Sequence, residues 1–292
     1  MNENETNNYP LENGSMPNEE KNEPITDNNT ELEPESSGYI EDEEPDGFTF
    51  NMTGLVIGVA ISFYMFYDNS AFSDNWTFIF YLFAVVIIHE MGHVILGKIF
   101  GCGIKEMQVF FLPFISYKPK QRDDSSSWRN IKWSLGALPL GGLTVFKTRQ
   151  SEGVDEVYEL DMDSNEEIQT PYIEDKPAWQ RLLISAAGVL FNLATFLIFY
   201  FALPHMSMAA QHFWGPLIYL SLILAILNIL PIYPLDGGVV LFALYEIITG
   251  RKPSPEFTRI CGWIGFAVII LFFWVFPEWM SGFIERILGM FF

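Results

Sequence analysis

The chain has 292 residues, 50% of them hydrophobic, and its mean hydropathy is positive (+0.20) although its formal net charge is −20. These values are compatible only if the charge is concentrated in one part of the chain, which excludes an ordinary soluble domain. Because the net charge is strongly negative, no nucleic-acid partner is expected. The two cysteines, Cys102 and Cys261, have no C-x-x-C partner and do not indicate a disulfide framework.

Residues 1–47 carry most of the charge. They hold 15 acidic residues and a single basic residue, Lys21, and they are rich in Asn, Glu, Pro and Ser. A segment with so few large apolar side chains cannot bury enough surface to offset its loss of conformational entropy, so we predict a disordered acidic tail. The tail is interpreted either as a dispensable solvated segment or as an acidic interaction arm.

Apolar segments of spanning or near-spanning length follow at 52–67, 76–100, 179–203, 213–248 and 259–276. The fourth is long and interrupted by prolines, and a last apolar stretch at 279–292 is either a short sixth span or an interfacial helix. We therefore predict an α-helical polytopic membrane protein with about five or six transmembrane helices. Residues 48–292 are expected to form one membrane-embedded domain whose core is 76–248.

The second apolar segment contains the motif His89-Glu90-Met91-Gly92-His93, which has the pattern H-E-x-x-H. On a helix the two histidines lie one turn apart on the same face and can bind one metal ion, while the glutamate can polarise a water molecule. Ionisable residues at membrane depth are costly and usually functional, so we interpret His89 and His93 as metal ligands and Glu90 as a catalytic residue. The alternative is a structural hydrogen-bond network between helices.

The connection at 101–178 is predicted to contain a small β element. Residues 107–117 read MQVFFLPFISY, and Pro113 favours an edge strand or a membrane-dipping loop. Residues 138–146 carry Pro-Leu-Gly-Gly between apolar runs, which predicts a hairpin. Residues 149–175 are polar and acidic and are predicted to form a flexible loop.

Basic residues are distributed unevenly among the connections. Eleven of the 16 Lys and Arg lie from Lys98 to Arg181, three lie in or beside 249–258, and none lies in 68–75 or 204–212. The positive-inside rule therefore places the two basic connections and the N-terminal tail in the cytoplasm. We expect a multi-pass protein of the bacterial inner (cytoplasmic) membrane, with the H-E-x-x-H motif towards the cytoplasmic side.

Two histidines do not complete a catalytic zinc site, which has three protein ligands and one open position. Neither later histidine follows a glutamate at the Glu-x-x-x-His spacing, and the only carboxylates between 179 and 250 are Asp236 and Glu246. Asp236 follows the run NILPIYPL at 228–235, whose two prolines break a membrane helix. Unwound backbone at membrane depth is tolerated where it lines a cavity, and a lone aspartate there needs a cation. We therefore predict that Asp236 is the third ligand.

These motifs together resemble those of the site-2 protease family of intramembrane zinc metalloproteases. The matching sequences are H-E-x-x-H at 89–93, LPLGG at 138–142, KPAWQR at 176–181 followed by AGVLFN at 187–192, and Asn-x-x-Pro with Leu-Asp-Gly at 228–237. They cover about residues 76–248 in the family's order. Two departures are the short 204–212 connection, which leaves no room for the PDZ domain of many members, and Val189, which replaces the proline of the family's Gly-Pro-x-x-Asn.

The resemblance implies one zinc ion per chain, bound by His89, His93 and Asp236, with Glu90 as general base and then general acid. It also implies residues that hold an unwound substrate backbone, namely Asn192, Asn228, Gly141 and Gly142. For the two asparagines the alternative is interhelical hydrogen bonding.

We therefore expect a zinc metalloendopeptidase that cuts within or near the transmembrane segment of single-span membrane proteins and releases a cytoplasmic fragment, with the lipid bilayer as its other partner. The strand at 107–117 and the hairpin at 138–146 are candidates for pairing with the unwound substrate. One alternative is a catalytically silent scaffold of the same fold, against which the intact site residues argue. The other is a metal transporter, against which the absence of a file of polar ligands across the helices argues.

Overall fold

The computed structural model describes residues 47–66, 76–120, 128–152 and 171–275, and the account below is confined to them. The helices in these ranges are α1 (Met52–Phe66), α2 (Trp76–Ile99), α3 (Ala178–Ala202), α4 (Met208–Asn228), α5 (Asp236–Thr249) and α6 (Pro255–Val275). The strands are β1 (Gly47–Phe50), β2 (Ile104–Lys118) and β3 (Lys132–Phe146). The predicted tail up to residue 46, most of the predicted loop at 149–175 and the stretch 279–292 lie outside the described residues.

The protein is a membrane protein built mainly of apolar helices. Three stretches in the described residues are long and apolar enough to cross a bilayer: Ile79–Ile99, Ala178–His205 and Met208–Asn228. A shorter apolar helix covers Met52–Phe63. The helices agree with the predicted apolar segments, whereas the total of five or six crossings stays a prediction.

The fourth apolar segment forms two helices with a break between them. α4 ends at Asn228 and α5 begins at Asp236, so the break contains Pro231 and Pro234. Proline lacks the backbone N–H that a helix interior requires, which explains why the helix stops here. Pro216, by contrast, lies within α4 without ending it. The break brings Asp236 to the first turn of a new helix.

The three strands form one small sheet in the order β1-β2-β3. The prediction of an edge strand at 107–117 is therefore wrong, because β2 lies between its two neighbours. Phe110 and Leu112 have positive φ angles, and the register shifts between 109 and 115. Pro113 thus lies in an irregular part of the strand, where its missing N–H interrupts no regular ladder.

β3 reverses direction, as the hairpin predicted at 138–146 requires, but its two parts do not pair with each other. Its first part, 132–135, and its second part, 142–145, both pair with residues 106–109 of β2. The strand therefore doubles back between these two parts, where Gly141 adopts a φ of 145°. The second part has no strand on its other side among the described residues, so it forms an edge of the sheet.

Helix α2 lies at the centre of the fold, between the sheet and the other helices. On one side Val86 and Val94 pack with Ile104, Met107 and other core residues of the sheet. On another side α2 contacts α3 and α4, while α3 also packs against α5. The helices α2 and α3 approach closely, since a methyl group on Gly92 would lie 2.6 Å from the carbonyl oxygen of Ala187. The H-E-x-x-H motif therefore lies between α3 and the sheet.

Candidate metal centre

The three ionisable residues of the H-E-x-x-H motif are all buried on α2. Relative exposure is 5% for His89, 4% for Glu90 and 7% for His93. The one-turn spacing brings the two imidazole rings together, with centroids 5.0 Å apart and Nε2 atoms 3.3 Å apart. Buried ionisable groups are costly unless they have partners, so the surroundings of these three side chains decide what they can do.

Asp236 reaches the two histidines from the start of α5. Its Oδ2 lies 3.0 Å from Nε2 of His89 and 3.3 Å from Nε2 of His93. The same Oδ2 is buried, yet neither contact has the geometry of a hydrogen bond. Three atoms that can bind a metal ion therefore converge at one point, and the carboxylate oxygen among them has no hydrogen-bond partner.

This triangle fits a zinc ion. Zinc binds imidazole nitrogen and carboxylate oxygen at about 2.0–2.2 Å in a tetrahedral arrangement, which separates neighbouring donor atoms by about 3.3 Å. The observed separations of 3.0, 3.3 and 3.3 Å are close to that value. A neutral imidazole and a carboxylate are also the donor types that zinc prefers. Three protein ligands leave the fourth position open, as catalytic zinc sites require.

Helix α3 supplies the outer contacts of both imidazoles. Nδ1 of His93 donates a hydrogen bond to the carbonyl oxygen of Ile184 at 2.8 Å. Nδ1 of His89 lies 3.2 Å from the side-chain amide of Asn192. Between these two, a methyl group on Gly188 would lie 2.6 Å from Nε2 of His89. The absence of a side chain at Gly188 thus leaves the space in which the ligand atoms meet.

The second part of β3 holds the Glu90 carboxylate. Thr144 Oγ1 donates a hydrogen bond to Oε2 of Glu90 at 2.7 Å. Gly142 lies against the same group, since a methyl group there would be 2.7 Å from Oε1. One carboxylate oxygen is therefore fixed by a hydrogen bond, and the other faces backbone that carries no side chain.

The structure brings together most of the predicted site residues. His89, His93 and Asp236 converge, with Glu90 on the same helix. Their neighbours include Asn192, which contacts His89 and has a relative exposure of 0%, and Gly142, which contacts Glu90.

Three further residues lie outside this group. Asn228 donates a hydrogen bond to the carbonyl oxygen of Leu224 in its own helix. Gly141 faces the Phe111 ring. Glu246, the other carboxylate of the region, pairs with Arg181.

Sequence reasoning missed two residues of the site, Thr144 and Gly188. Gly188 lies one turn before Asn192 on α3. The spacing of four residues between a glycine and a buried asparagine is therefore a weak sequence signal for this position. Thr144 follows the glycine pair of the hairpin, but no local pattern indicates that its hydroxyl reaches Glu90. The carbonyl of Ile184 has no sequence signal, because every residue carries one.

One cavity in the described residues is separate from this centre. It has a volume of roughly 300 Å³ and lies between α2 and the sheet, where it is lined by apolar side chains that include Phe83, Ile87, Met91 and Trp133. None of the four site residues lines it, so it is not the metal site.

Comparison with known proteins gives one family match over most of the helical region. The family model of peptidase family M50 matches residues 77–209 and 204–272. Metalloprotease MmpA of Caulobacter vibrioides is 30% identical over 142 residues, which are 46% of this chain and 33% of that protein. A homologue in Thermotoga maritima is 31% identical over 123 residues, which are 42% of this chain and 21% of that protein. The chain thus matches a third or less of the length of these relatives.

Among solved structures, the site-2 protease from Methanocaldococcus jannaschii aligns with a TM-score of 0.42 and 18% sequence identity. The alignment covers 79% of this chain and 85% of that one.

Proposed function

Because this chain belongs to peptidase family M50, we propose that it is an intramembrane zinc metalloprotease of the site-2 type. The observation that carries the proposal is the convergence of His89, His93 and Asp236 within 3.0–3.3 Å of one another, beside Glu90 on an apolar helix. A silent scaffold of the same fold has no need for a buried carboxylate oxygen without a hydrogen-bond partner beside two imidazole nitrogens. A transporter requires further ligands along a path, and the described residues contain no second such group.

In this proposal His89, His93 and Asp236 hold one zinc ion per chain. When bound, zinc supplies the Lewis acidity that makes water a nucleophile near neutral pH. Glu90 accepts the proton of the attacking water at the oxygen that Thr144 leaves free. Glu90 then returns that proton to the nitrogen of the departing amine. Thr144 keeps the carboxylate in one orientation during both transfers.

The substrate class follows from the location of these groups. His89, Glu90 and His93 lie on a helix of membrane-spanning length. The substrate is therefore the transmembrane segment of a membrane protein, and we propose single-span proteins. Helical substrate carbonyls are engaged in hydrogen bonds, so the segment must unwind before attack. The edge formed by 142–145 runs beside Glu90 and is able to pair with an extended peptide. The strand that we expected at 107–117 cannot take this role, because it is interior to the sheet.

The proposal is tested by metal content and cleavage measured on the same purified samples. We expect about one zinc per wild-type chain and cleavage of a single-span reporter protein. Glu90→Gln should keep the zinc and lose cleavage, whereas Asp236→Ala should lose most of the zinc. Replacing a Gly-Pro pair in the reporter span with two leucines should slow cleavage, because the span then resists unwinding.

Glu246→Gln is the matched control, since it alters the other carboxylate of the region and keeps an acceptor for Arg181. It should retain zinc. Full zinc occupancy in Asp236→Ala removes that residue from the ligand set, and cleavage by Glu90→Gln refutes the assigned base.

A further inference from the structure

Helix α3 faces the two histidines with a matching set of residues. The motif places His89 and His93 one turn apart on α2, and α3 places Ile184, Gly188 and Asn192 at one-turn intervals opposite them. The two outer positions of α3 each contact the Nδ1 atom of one imidazole, and the middle position leaves room for the ligand atoms. The site is thus shaped by α3 as well as by the helix that carries the motif.

The contact of His93 fixes the role of both its ring nitrogens. A carbonyl oxygen can only accept a hydrogen bond, so Nδ1 of His93 carries the ring hydrogen when it bonds to Ile184. In a neutral imidazole the other nitrogen, Nε2, then has a free lone pair. That lone pair faces His89 and Asp236, where a metal ion is to be held.

The contact of His89 differs because a side-chain amide can either donate or accept. As placed, Nδ2 of Asn192 faces Nδ1 of His89, and Oδ1 of the amide is buried without a hydrogen-bond partner. Turning the amide by half a rotation exchanges these atoms without changing the space that it fills. Oδ1 then accepts the hydrogen from Nδ1, and Nε2 of His89 is left free to bind a metal ion.

We propose that Asn192 is the positioning residue of His89, which orients the imidazole so that Nε2 faces the metal, and that it is not a substrate-binding residue. Its relative exposure of 0% leaves no surface for a peptide to contact. Its side-chain amide contacts His89, one of the proposed metal ligands. Outer hydrogen bonds of this kind fix the ring orientation of metal-bound histidines, and their loss weakens metal binding about 10–100-fold. The inference rests on the zinc site of the proposed function.

The test is the zinc affinity of the full-length protein in detergent, measured by competition with a chromophoric chelator. Asn192→Leu removes the hydrogen-bonding group and should weaken zinc binding about 10–100-fold. Asn192→Asp keeps the shape of the side chain and an oxygen that accepts a hydrogen bond from Nδ1 of His89. Its zinc affinity should therefore lie within a few-fold of the wild-type value. Thr195→Val is the control on the same helix, because the Thr195 hydroxyl donates its hydrogen bond to the backbone carbonyl of Phe191 and not to a site residue.

The absorption spectrum of the cobalt-substituted protein gives a second readout of ligand geometry. We expect the wild-type spectrum for Asn192→Asp and Thr195→Val, and an altered one for Asn192→Leu. The inference is overturned if Asn192→Leu has the zinc affinity and cobalt spectrum of the wild type. It is also overturned if Asn192→Asp loses zinc affinity tenfold, and this second comparison can be made even if the leucine variant does not fold. A wild-type protein that binds no zinc instead overturns the proposed function itself.

Discussion

At the scale of single residues, the base is held by a side chain far away in the sequence. Glu90 belongs to α2, whereas the hydroxyl that bonds to it comes from β3. A carboxylate on a flexible side chain samples several rotamers, and a hydrogen bond to one oxygen restricts it to those that keep the other oxygen in place. We therefore expect Thr144 to affect the rate of cleavage through Glu90 and not through the proposed metal ligands.

Replacing Thr144 with valine should lower the rate constant for cleavage roughly tenfold, because a hydrogen bond to a charged group contributes about 1.5–3 kcal/mol and part of it is replaced by water. Zinc content should not change, since the ligands keep their own contacts. Thr144→Ser retains the hydroxyl and should cleave at close to the wild-type rate. An unchanged rate in Thr144→Val, measured with the single-span reporter, shows that the hydroxyl has no part in orienting Glu90.

The ligands were predictable from the sequence because their spacing and isolation are local properties. His89 and His93 follow a five-residue motif, and Asp236 is one of only two carboxylates between 179 and 250. The contacts of Thr144 and Asn192 depend on how β3 and α3 pack against α2, which no local pattern records. The sequence therefore predicted the three residues that converge, but not the groups that contact and orient the site residues.

At the scale of elements, α6 packs against the break that precedes α5. A methyl group on Gly265 would overlap the backbone carbonyl of Tyr233, whereas one on Gly262 would lie 3.2 Å from the Tyr233 ring. Tyr233 also packs on Phe242 of α5, with ring centroids 5.3 Å apart. The helix that follows α5 thus limits the position of the segment that leads into Asp236.

Gly265→Ala should destabilise the protein by about 1–3 kcal/mol, the usual cost of overpacking against backbone, and lower its zinc occupancy because the segment before Asp236 must shift. Gly262→Ala is the matched control, since its neighbour is a ring that can turn, and alanine also has the higher helix propensity. Thermal unfolding and metal analysis of the two variants provide the measurement. Equal melting temperatures argue against a role of α6 in holding this segment.

The helices could be predicted from the sequence, whereas the position of β2 in the sheet could not, and the difference has physical reasons. The helices could be predicted because a long apolar segment in a membrane satisfies its backbone hydrogen bonds by forming a helix. The location of β2 could not, because Pro113 suggested an edge whereas irregular backbone at Phe110 and Leu112 accommodates it inside the sheet. At 138–146 the glycine pair correctly indicated a change of chain direction, but the hairpin itself does not form, because both parts of β3 pair with β2 and not with each other.

At the scale of the whole molecule, the connections differ sharply in charge, and this gives a testable orientation. Reporter fusions near 160 and 253 should report a cytoplasmic location, and fusions near 72 and 206 an external one, because basic residues cluster in the first pair of connections and are absent from the second. The connection from α3 to α4 is only a few residues long, as predicted, so it holds no further domain. An external signal at 160 contradicts the proposed orientation.

The division of the ligands between α2 and α5 also has a consequence for biosynthesis. A ribosome delivers α2 to the bilayer well before α5, and during that interval His89 and His93 lack the carboxylate that completes their triangle. Two imidazoles alone hold zinc far more weakly than three ligands do. If these three residues bind zinc as we propose, a nascent chain should stay inert until Asp236 has arrived, and hydrolytic activity should appear only after insertion has reached that point.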